Sequence, residues 1–411
     1  MTIHHDLDRD AGAPGVTIRL AEHYAAAGHD VEVLSFDDLP TRVPPRLRPL
    51  VFPTFVVARV RRRMRSGALD VVDASSGDSA FLDHTSASFR RTLLAVRSHG
   101  LEHTSDRRFR AEAAAGMLRL SWRHSIYHGG YRLREVARSM RRADVALVLN
   151  ESDRSVVVDE LRVAPQRVCM VPNGVPERLV LDENTSAGLA NAAVTRIVQL
   201  GNYIPRKGIR YGGAALAAVL ARKPGIRVAF LGTGCPPSRV LADFDPSLHQ
   251  RIDVVARYRN EDLRELLGRG DINLLPTLSE GFPGALLEAM ARGIPSVVTS
   301  APGTSELCRD GRNALVVRPR DPYAIQEALE LLVDSPALRN RLSRAAVATA
   351  RRYTWPRVAS LNLDIYQRHL AGKIDVPAGY RFERHQGGTV GATEHTQRRG
   401  GDRPVRPDEN L

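Results

Sequence analysis

The sequence predicts an α/β protein made of two doubly wound domains in tandem, and three observations carry that expectation. At 411 residues the chain exceeds one ordinary hydrophobic core, and two domains of about 150–200 residues each would accommodate it. Short apolar, β-rich runs alternate with stretches of helical periodicity, the pattern of a parallel sheet covered on both faces. The alternation stops in a polar, aperiodic stretch, ERLVLDENTSAGLANAA, and then starts again. The first domain is therefore placed at 1–176, a linker at 177–193 and the second domain at 194–350. A helix is expected at 351–371, and the polar tail 372–411, rich in Gly and Arg, is expected to be disordered.

In the first domain, DRDAGAPGVTIRLAEHYAAAGHDVEVLSF reads as a glycine loop, a helix, a glycine stop and a buried strand over VEVLSF. Val16, Leu20, Tyr24 and Ala27 recur at helical spacing. Gly12 and Gly15 would permit close backbone approach ahead of a helix N-terminus, a phosphate-binding arrangement, although no complete GxGxxG is present. The strand that precedes them is short and polar. LDVVDAS, LLAVRSHG, ADVALVLN and RVCMVPNG then supply four further strands, with helices between. Between the second and third of these lies the basic segment Arg107–Arg142, with Trp122, Ile126, Tyr127 and Tyr131 among its arginines. It reads as ordinary amphipathic helices or as a surface lying on a membrane.

In the second domain the strands are TRIVQLGN, IRVAFLGTG, RIDVVAR, DINLLPT, IPSVVTS and NALVVRP. One stretch organises this half: TLSEGFPGALLEAMARG, from Thr277 to Gly293. It reads as a strand end, a tight turn, a short helix opened by Pro283 at its first position, and a left-handed glycine stop at Gly293. The first helical amides, Gly284 to Leu286, have no partner within the helix, and such an end attracts phosphate. Glu280 and Glu288 frame the turn, as two acceptors for sugar hydroxyls. Later, Ile325, Ala328, Leu329 and Leu332 share one helix face, and the final helix carries Trp355, Val358, Leu361, Ile365 and Tyr366.

The composition is that of a soluble globular protein, 43% hydrophobic and 26% charged. No apolar run reaches the ~18 residues of a membrane helix, and the first ten residues lack a signal peptide's apolar core. Cys169, Cys235 and Cys308 are scattered and form no CxxC, which argues against a zinc site or disulfide frame and for a reduced, cytoplasmic setting. The net charge is +13, and the stretch from Thr41 to Arg142 holds 21 Arg and no Lys against 8 acidic residues. The basic surface therefore belongs to the first half. An Arg-biased composition explains it in one reading; an anionic lipid surface on the inner membrane face, or an acidic acceptor, explains it in the other. Binding to nucleic acid ranks behind both.

Lysine is scarce, only Lys207, Lys223 and Lys373, so Arg206-Lys207-Gly208 directly before a helix is informative. Cations there oppose the helix dipole by roughly 0.3–1 kcal/mol each, unless a bound anion reverses the sign. A diphosphate would suit, forked by Arg206 and met by Lys207 as a point charge. Glu288 could accept both hydroxyls of a ribose. His99 ends a first-domain strand, where doubly wound folds place ligands. His99 and His103 lack a third metal ligand, and Asp243-Phe-Asp245 is a lone DxD triplet, so no metal is expected.

These residues carry a family resemblance. SEGFPGALLEAMARGIPSVV is similar to the E-x7-E signature of the retaining glycosyltransferases of family 4, with its glutamates at Glu280 and Glu288. Similar segments run from Ala11 to Leu370, among them AGHDVEVLSF, DVVDASSGD, SHGLEH, ADVALVLNESD, VPNGV, RKG and FLGTG. The resemblance implies the GT-B fold, two Rossmann-like doubly wound domains facing across a cleft, with the last helix crossing back to the first. It implies a metal-independent retaining transferase, without cofactor, acting on a nucleotide-diphosphate sugar. The acceptor would be a lipid-linked or cell-envelope glycan, and the protein would sit in the cytoplasm, peripheral on the inner membrane face. Glu288 would hold the ribose, Arg206 and Lys207 the diphosphate, and Glu280 with Gly281, Phe282 and Pro283 the donor sugar. The amides of Gly284, Ala285 and Leu286 would face the phosphates, Gly15 would approach them across the cleft, and His99 would lie beside the sugar. Glu280, His99 and Lys207 are thus the expected catalytic residues, and Lys207→Ala and Glu288→Gln are expected to lose transfer while folding normally. One departure is Gly201-Asn202, where the family usually has glycine-arginine. It leaves open an alternative, a non-catalytic nucleotide-sugar-binding partner subunit.

Overall fold

The computed structural model describes residues 1–66, 69–83, 91–114, 116, 119–122, 124–182, 193–268 and 271–371. The expected tail at 372–411 and most of the expected linker lie outside these residues. In the first domain the helix α1 (Gly12–Ala26) precedes α2 (Arg48–Ser66) and four parallel strands: β1 (Val71–Ser75), β2 (Leu93–Arg97), β3 (Val145–Val148) and β4 (Val168–Met170). The strands lie side by side in chain order. Their residues are almost all buried, as uninterrupted apolar runs in a doubly covered sheet must be. Between β2 and β3 run α3 (Glu102–Ala114), a π-helical stretch at His124–Tyr131, and α4 (Arg132–Arg142).

The expected strand over VEVLSF does not form as a strand. Leu34 makes a single bridge to Thr2, and Met1–Ile3 are inserted between residue 34 and β1. Leu34 and Phe36 are nonetheless buried, without regular pairing.

The second domain has six parallel strands: β5 (Arg196–Leu200), β6 (Arg227–Leu231), β7 (Ile252–Val255), β8 (Asp271–Leu275), β9 (Ser296–Thr299) and β10 (Leu315–Val317). Their order is β10-β9-β8-β5-β6-β7. The chain thus winds outward from β5 through β6 to β7, then returns to β8 on the other side of β5. The carboxyl ends of β5 and β8 form a topological switch point, where doubly wound sheets bind ligands. The helices that matter to the site are α5 (Ile209–Arg222), after β5, and α6 (Gly284–Ala291), after β8.

The last helix, α9 (Trp355–Leu370), follows α7 (Pro322–Asp334) and α8 (Pro336–Ala350) and packs on the first sheet. Trp355, Val358, Ile365 and Tyr366 join Val16, Leu20, Leu147 and Val171 in one buried cluster. A polar knot pins it: Arg97 Nη2 donates to Asp73 at 3.0 Å, to Asn362 at 2.7 Å and to Tyr366 at 2.9 Å. Tyr366 in turn donates to Asp73 at 2.6 Å. Satisfying every partner is what makes a fully buried guanidinium and carboxylate tolerable.

Candidate active site

The site begins at the switch point. After β5 the chain passes Gly201 and Asn202 into a tight turn, Pro205–Lys207, closed by Gly208. Gly208 has φ +69°, and a Cβ there would stand 1.8 Å from the Pro276 carbonyl oxygen, so only glycine lets this turn dock on the end of β8. The Leu278 amide donates to the Arg206 carbonyl at 2.9 Å. The turn therefore presents its side chains to the loop carrying Glu280. Lys207 Nζ reaches Glu280 Oε1 at 2.7 Å, Arg206 Nη1 reaches Oε2 at 2.9 Å, and the Thr277 hydroxyl donates to Oε1 at 2.8 Å. Burial works against the Glu280 carboxylate, but Lys207 and Arg206 outweigh it and hold the group below its ordinary range. It is an anion at neutral pH.

The turn after Glu280 differs from the sequence expectation by one residue. Pro283 is the N-cap of α6, not its first helical residue, because the Gly284 amide turns back to the Phe282 carbonyl at 2.9 Å. Among the described residues the Ala285 and Leu286 amides have no carbonyl partner at the helix start. The other end is as the sequence suggests: Gly293 has φ +65°, with Gly293 N–H bonded to Met290 and Ile294 N–H to Ala289, a Schellman stop. Glu288 projects from α6 into the cleft. Burial pushes its carboxyl up to about 7, against the opposing pull of Arg19 and Lys207. Its oxygens accept no hydrogen bond from the described residues, unlike those of Glu280.

The first domain supplies the facing wall, and together they enclose a cleft of about 580 Å³, within the usual range for small-molecule sites. The Asp10–Ala13 loop, Val16 and Arg19 line it from α1, and His99 and Gly100 from the end of β2. Burial, helped by the Arg97 guanidinium, pushes the His99 imidazolium down to about 3, so the ring is neutral at working pH. Its Nδ1 has no hydrogen-bond partner among the described residues. The two domains touch at the turn after Glu280. A Cβ on Gly281 would stand 3.0 Å from the His99 carbonyl oxygen and 3.1 Å from Gly100 Cα. Asn150, the N-cap of the helical turn after β3, donates its Nδ2 to the Gly281 carbonyl at 2.9 Å.

Most of the expected site residues therefore meet in one cleft: His99, Arg206, Lys207, Glu280, Gly281, Phe282, Gly284, Ala285 and Glu288 all line it. Three do not. Pro283 and the Leu286 side chain do not line it, and Leu286 lies in the core with Leu287 and Met290. Gly15 sits inside α1, where a Cβ would stand 2.5 Å from the Arg9 carbonyl oxygen, so the close approach it allows is to Arg9. Ala11 to Ala13 take the expected place on the wall. Asp243 and Asp245 are also elsewhere: Asp243 accepts from Tyr203 and Arg239, and Asp245 caps the turn at Ser247. No cluster of potential metal ligands occurs among the described residues.

Sequence reasoning missed Arg19, Arg108, Asn150 and Tyr258, all on the cleft wall. In so Arg-rich a chain nothing local distinguished Arg19 and Arg108 from solvent-facing arginines. Asn150 carried a signal, since it ends a strand and precedes a helical turn with Asp153 three residues on.

Residues 11–178 match the protein family described as Glycosyltransferase Family 4, and residues 194–335 that described as Glycosyl transferases group 1. Among curated proteins, the chain is 24% identical to the MMP alpha-(1->4)-mannosyltransferase of Mycolicibacterium hassiacum, over 88% of this chain and 95% of that one. It is 26% identical to the D-inositol 3-phosphate glycosyltransferase of Acidothermus cellulolyticus, over 87% and 78%. An exopolysaccharide phosphotransferase of Streptomyces coelicolor is 28% identical, but the match spans only 20% of its length and 47% of this chain. Sucrose-phosphate synthase from Thermosynechococcus elongatus superposes with a TM-score of 0.69 at 18% identity, over 88% of this chain and 94% of that one. Anabaena HepE in complex with UDP-glucose gives 0.64 at 15%, over 89% and 99%. At these identities the structures speak for the fold, which is GT-B.

Proposed function

Since the chain belongs to the glycosyltransferases of group 1 and family 4, we propose that its cleft moves a sugar from a nucleotide-diphosphate sugar to an acceptor, with retention of configuration and without a metal. One observation carries the reading. An open carboxylate, Glu288, and a cation pair, Arg206 and Lys207, flank the same helix start, with Glu280 between them. Glu288 is free to accept a ribose diol. The Ala285 and Leu286 amides and the two cations would face a diphosphate.

Transfer requires that negative charge on the departing diphosphate be stabilised. Fixed cations and helix-end amides in a partly closed cleft do this by preorganisation. In the ligand-free state Arg206 and Lys207 rest on Glu280, which holds both side chains in place for an incoming phosphate. Neutral His99 can donate or accept one hydrogen bond beside the reacting sugar without adding charge. The acceptor hydroxyl would attack on the face that the diphosphate leaves, and the diphosphate oxygen would take its proton. The reading is favoured over a binding-only subunit because His99, Glu280 and the cations converge on one cleft.

The proposed acceptor is lipid-linked or part of a cell-envelope glycan. Its support is the basic first domain, on which Trp122 and Ile126, four residues apart, are 69% and 63% exposed. No helix of the described residues is long and apolar enough to cross a membrane, so contact would be peripheral. Thermal-shift screening of nucleoside diphosphates, then turnover of the matching sugar donors with EDTA present, tests the donor, metal and catalytic claims. The anomeric configuration of the product tests retention. Co-sedimentation with anionic liposomes, comparing the chain with Trp122→Ser, tests the surface.

A further inference from the structure

The cleft holds four cations, and three are hydrogen-bonded at close range. Arg206 and Lys207 bind Glu280, and Arg19 donates to the Arg9 carbonyl at 3.0 Å. Arg108, on α3 of the first domain, is held more loosely. It pairs with Glu112, one turn on, across 3.8 Å from Nε, beyond hydrogen-bond distance. Neither Arg108 Nε nor Glu112 Oε1 has a hydrogen-bond partner. The guanidinium lies 5.0 Å from the centre of the Phe109 ring, which supports it on one side.

Two carboxylates of the cleft wall, Asp153 and Glu280, are already in use. Asp153 accepts from Asn150 Nδ2, Leu101 N–H and the Thr104 hydroxyl, and Glu280 from Arg206, Lys207 and Thr277. Ser105, one turn before Arg108 on the same face of α3, and Ser152 also line the cleft and bring hydroxyls. Burial, and then the Arg206 charge across the cleft, disfavour the Arg108 proton, against the opposing pull of Glu112 and Glu280. An anion placed there would offset the Arg206 charge.

We propose that Arg108, with Ser105 beside it, forms an anion subsite on the first-domain wall that takes a phosphate or carboxylate carried by the sugar acceptor. The proposal rests on reading the cleft as a sugar-transfer site. The donor diphosphate has its own cations and amides on the second domain. Arg108 is on the opposite domain, where the acceptor must enter. A planar fork suits a tetrahedral or planar oxyanion better than a neutral hydroxyl group does. The acceptor class is therefore a phosphorylated or acidic glycan or polyol.

The test is calorimetric titration of the full chain, saturated with the nucleoside diphosphate that binds it, using inorganic phosphate and glycerol 1-phosphate as probes and glycerol as the neutral control. Both phosphates should bind and glycerol should not. Arg108→Gln, which keeps a flat side chain over Phe109, should weaken phosphate at least about tenfold, the effect of losing one charge-assisted hydrogen bond. Its nucleotide affinity should stay within about twofold of the parent, and Arg108→Lys should recover part of the phosphate binding. Equal phosphate binding by parent and Arg108→Gln, or none by either, overturns the subsite. A tenfold loss of nucleotide affinity in Arg108→Gln also overturns it and assigns the residue to the donor. If no nucleotide binds at all, the donor reading fails, while the same phosphate comparison on the unliganded chain still decides the role of Arg108.

Discussion

Lys207 Nζ lies 2.7 Å from Glu280 Oε1, so the scarce lysine and the first glutamate of the signature are one buried ion pair in the unliganded protein. Arg206 completes it on the other oxygen. The pair bears on stability as well as on the proposed chemistry, and this changes what mutation of Lys207 should do.

Removing Lys207 leaves the Glu280 carboxylate buried with Arg206 as its sole cation. Lys207→Ala should therefore destabilise the fold by roughly 1–3 kcal/mol, in place of the neutral folding that sequence alone suggests. Urea denaturation checks it. In a double-mutant cycle with Glu280→Gln the coupling should exceed about 1 kcal/mol; additive losses would show that the pair contributes nothing.

Glu288 is predicted to make stability and binding pH-dependent in opposite directions. Its carboxyl is raised from an ordinary 4.5 to about 7, so the folded state binds a proton that the unfolded state has lost between those values. Stability should fall as pH rises from 4.5 through 7, by roughly 3 kcal/mol over the whole window. Nucleotide affinity should rise over the upper part of it, because the ionised carboxylate is the better acceptor for a ribose diol. Glu288→Gln should flatten both profiles and be the more stable protein at pH 8, as thermal melts across the range would reveal.

Asn150 reaches the donor-side turn from the other domain, with Nδ2 on the Gly281 carbonyl while Oδ1 caps the Asp153 amide. Asn150→Ser keeps a capping oxygen but gives up the Gly281 contact. Its stability should change by less than about 1 kcal/mol, whereas turnover should drop about tenfold at saturating donor, the effect of one misplaced turn on orientation. Unchanged turnover would reduce Asn150 to a helix cap.

The crossover helix depends on Asp73. Asp73→Ala strands the buried Arg97 cation and should cost about 3–5 kcal/mol, and Tyr366→Phe, which removes a hydroxyl bonded to both partners, about 1–3 kcal/mol. Chemical denaturation of the two variants measures both values.

Ten strands and the helices that bound the site were legible because each is short, apolar and bracketed by glycine, proline or a capping residue. VEVLSF has the same composition yet forms one bridge, Leu34 to Thr2, because strand pairing is a non-local matter that local pattern does not encode. In the site, Glu280, Glu288 and Lys207 stood out by spacing or rarity. Arg19, Arg108 and Asn150 did not, because their roles arise only when the first domain faces the second. Gly15 was misread for a related reason: a glycine marks a close approach, and sequence does not say to what. Here it is the Arg9 carbonyl.

The most direct test of the account is calorimetric titration of nucleoside diphosphates into the parent chain and into Glu288→Gln. At least one should bind the parent, and Glu288→Gln should weaken it by about 10- to 100-fold, as expected for the loss of hydrogen bonds to a charged acceptor worth about 1.5–3 kcal/mol. Equal affinity in the two proteins, or no binding by any nucleotide, would contradict the assignment of this cleft to a nucleotide-sugar donor.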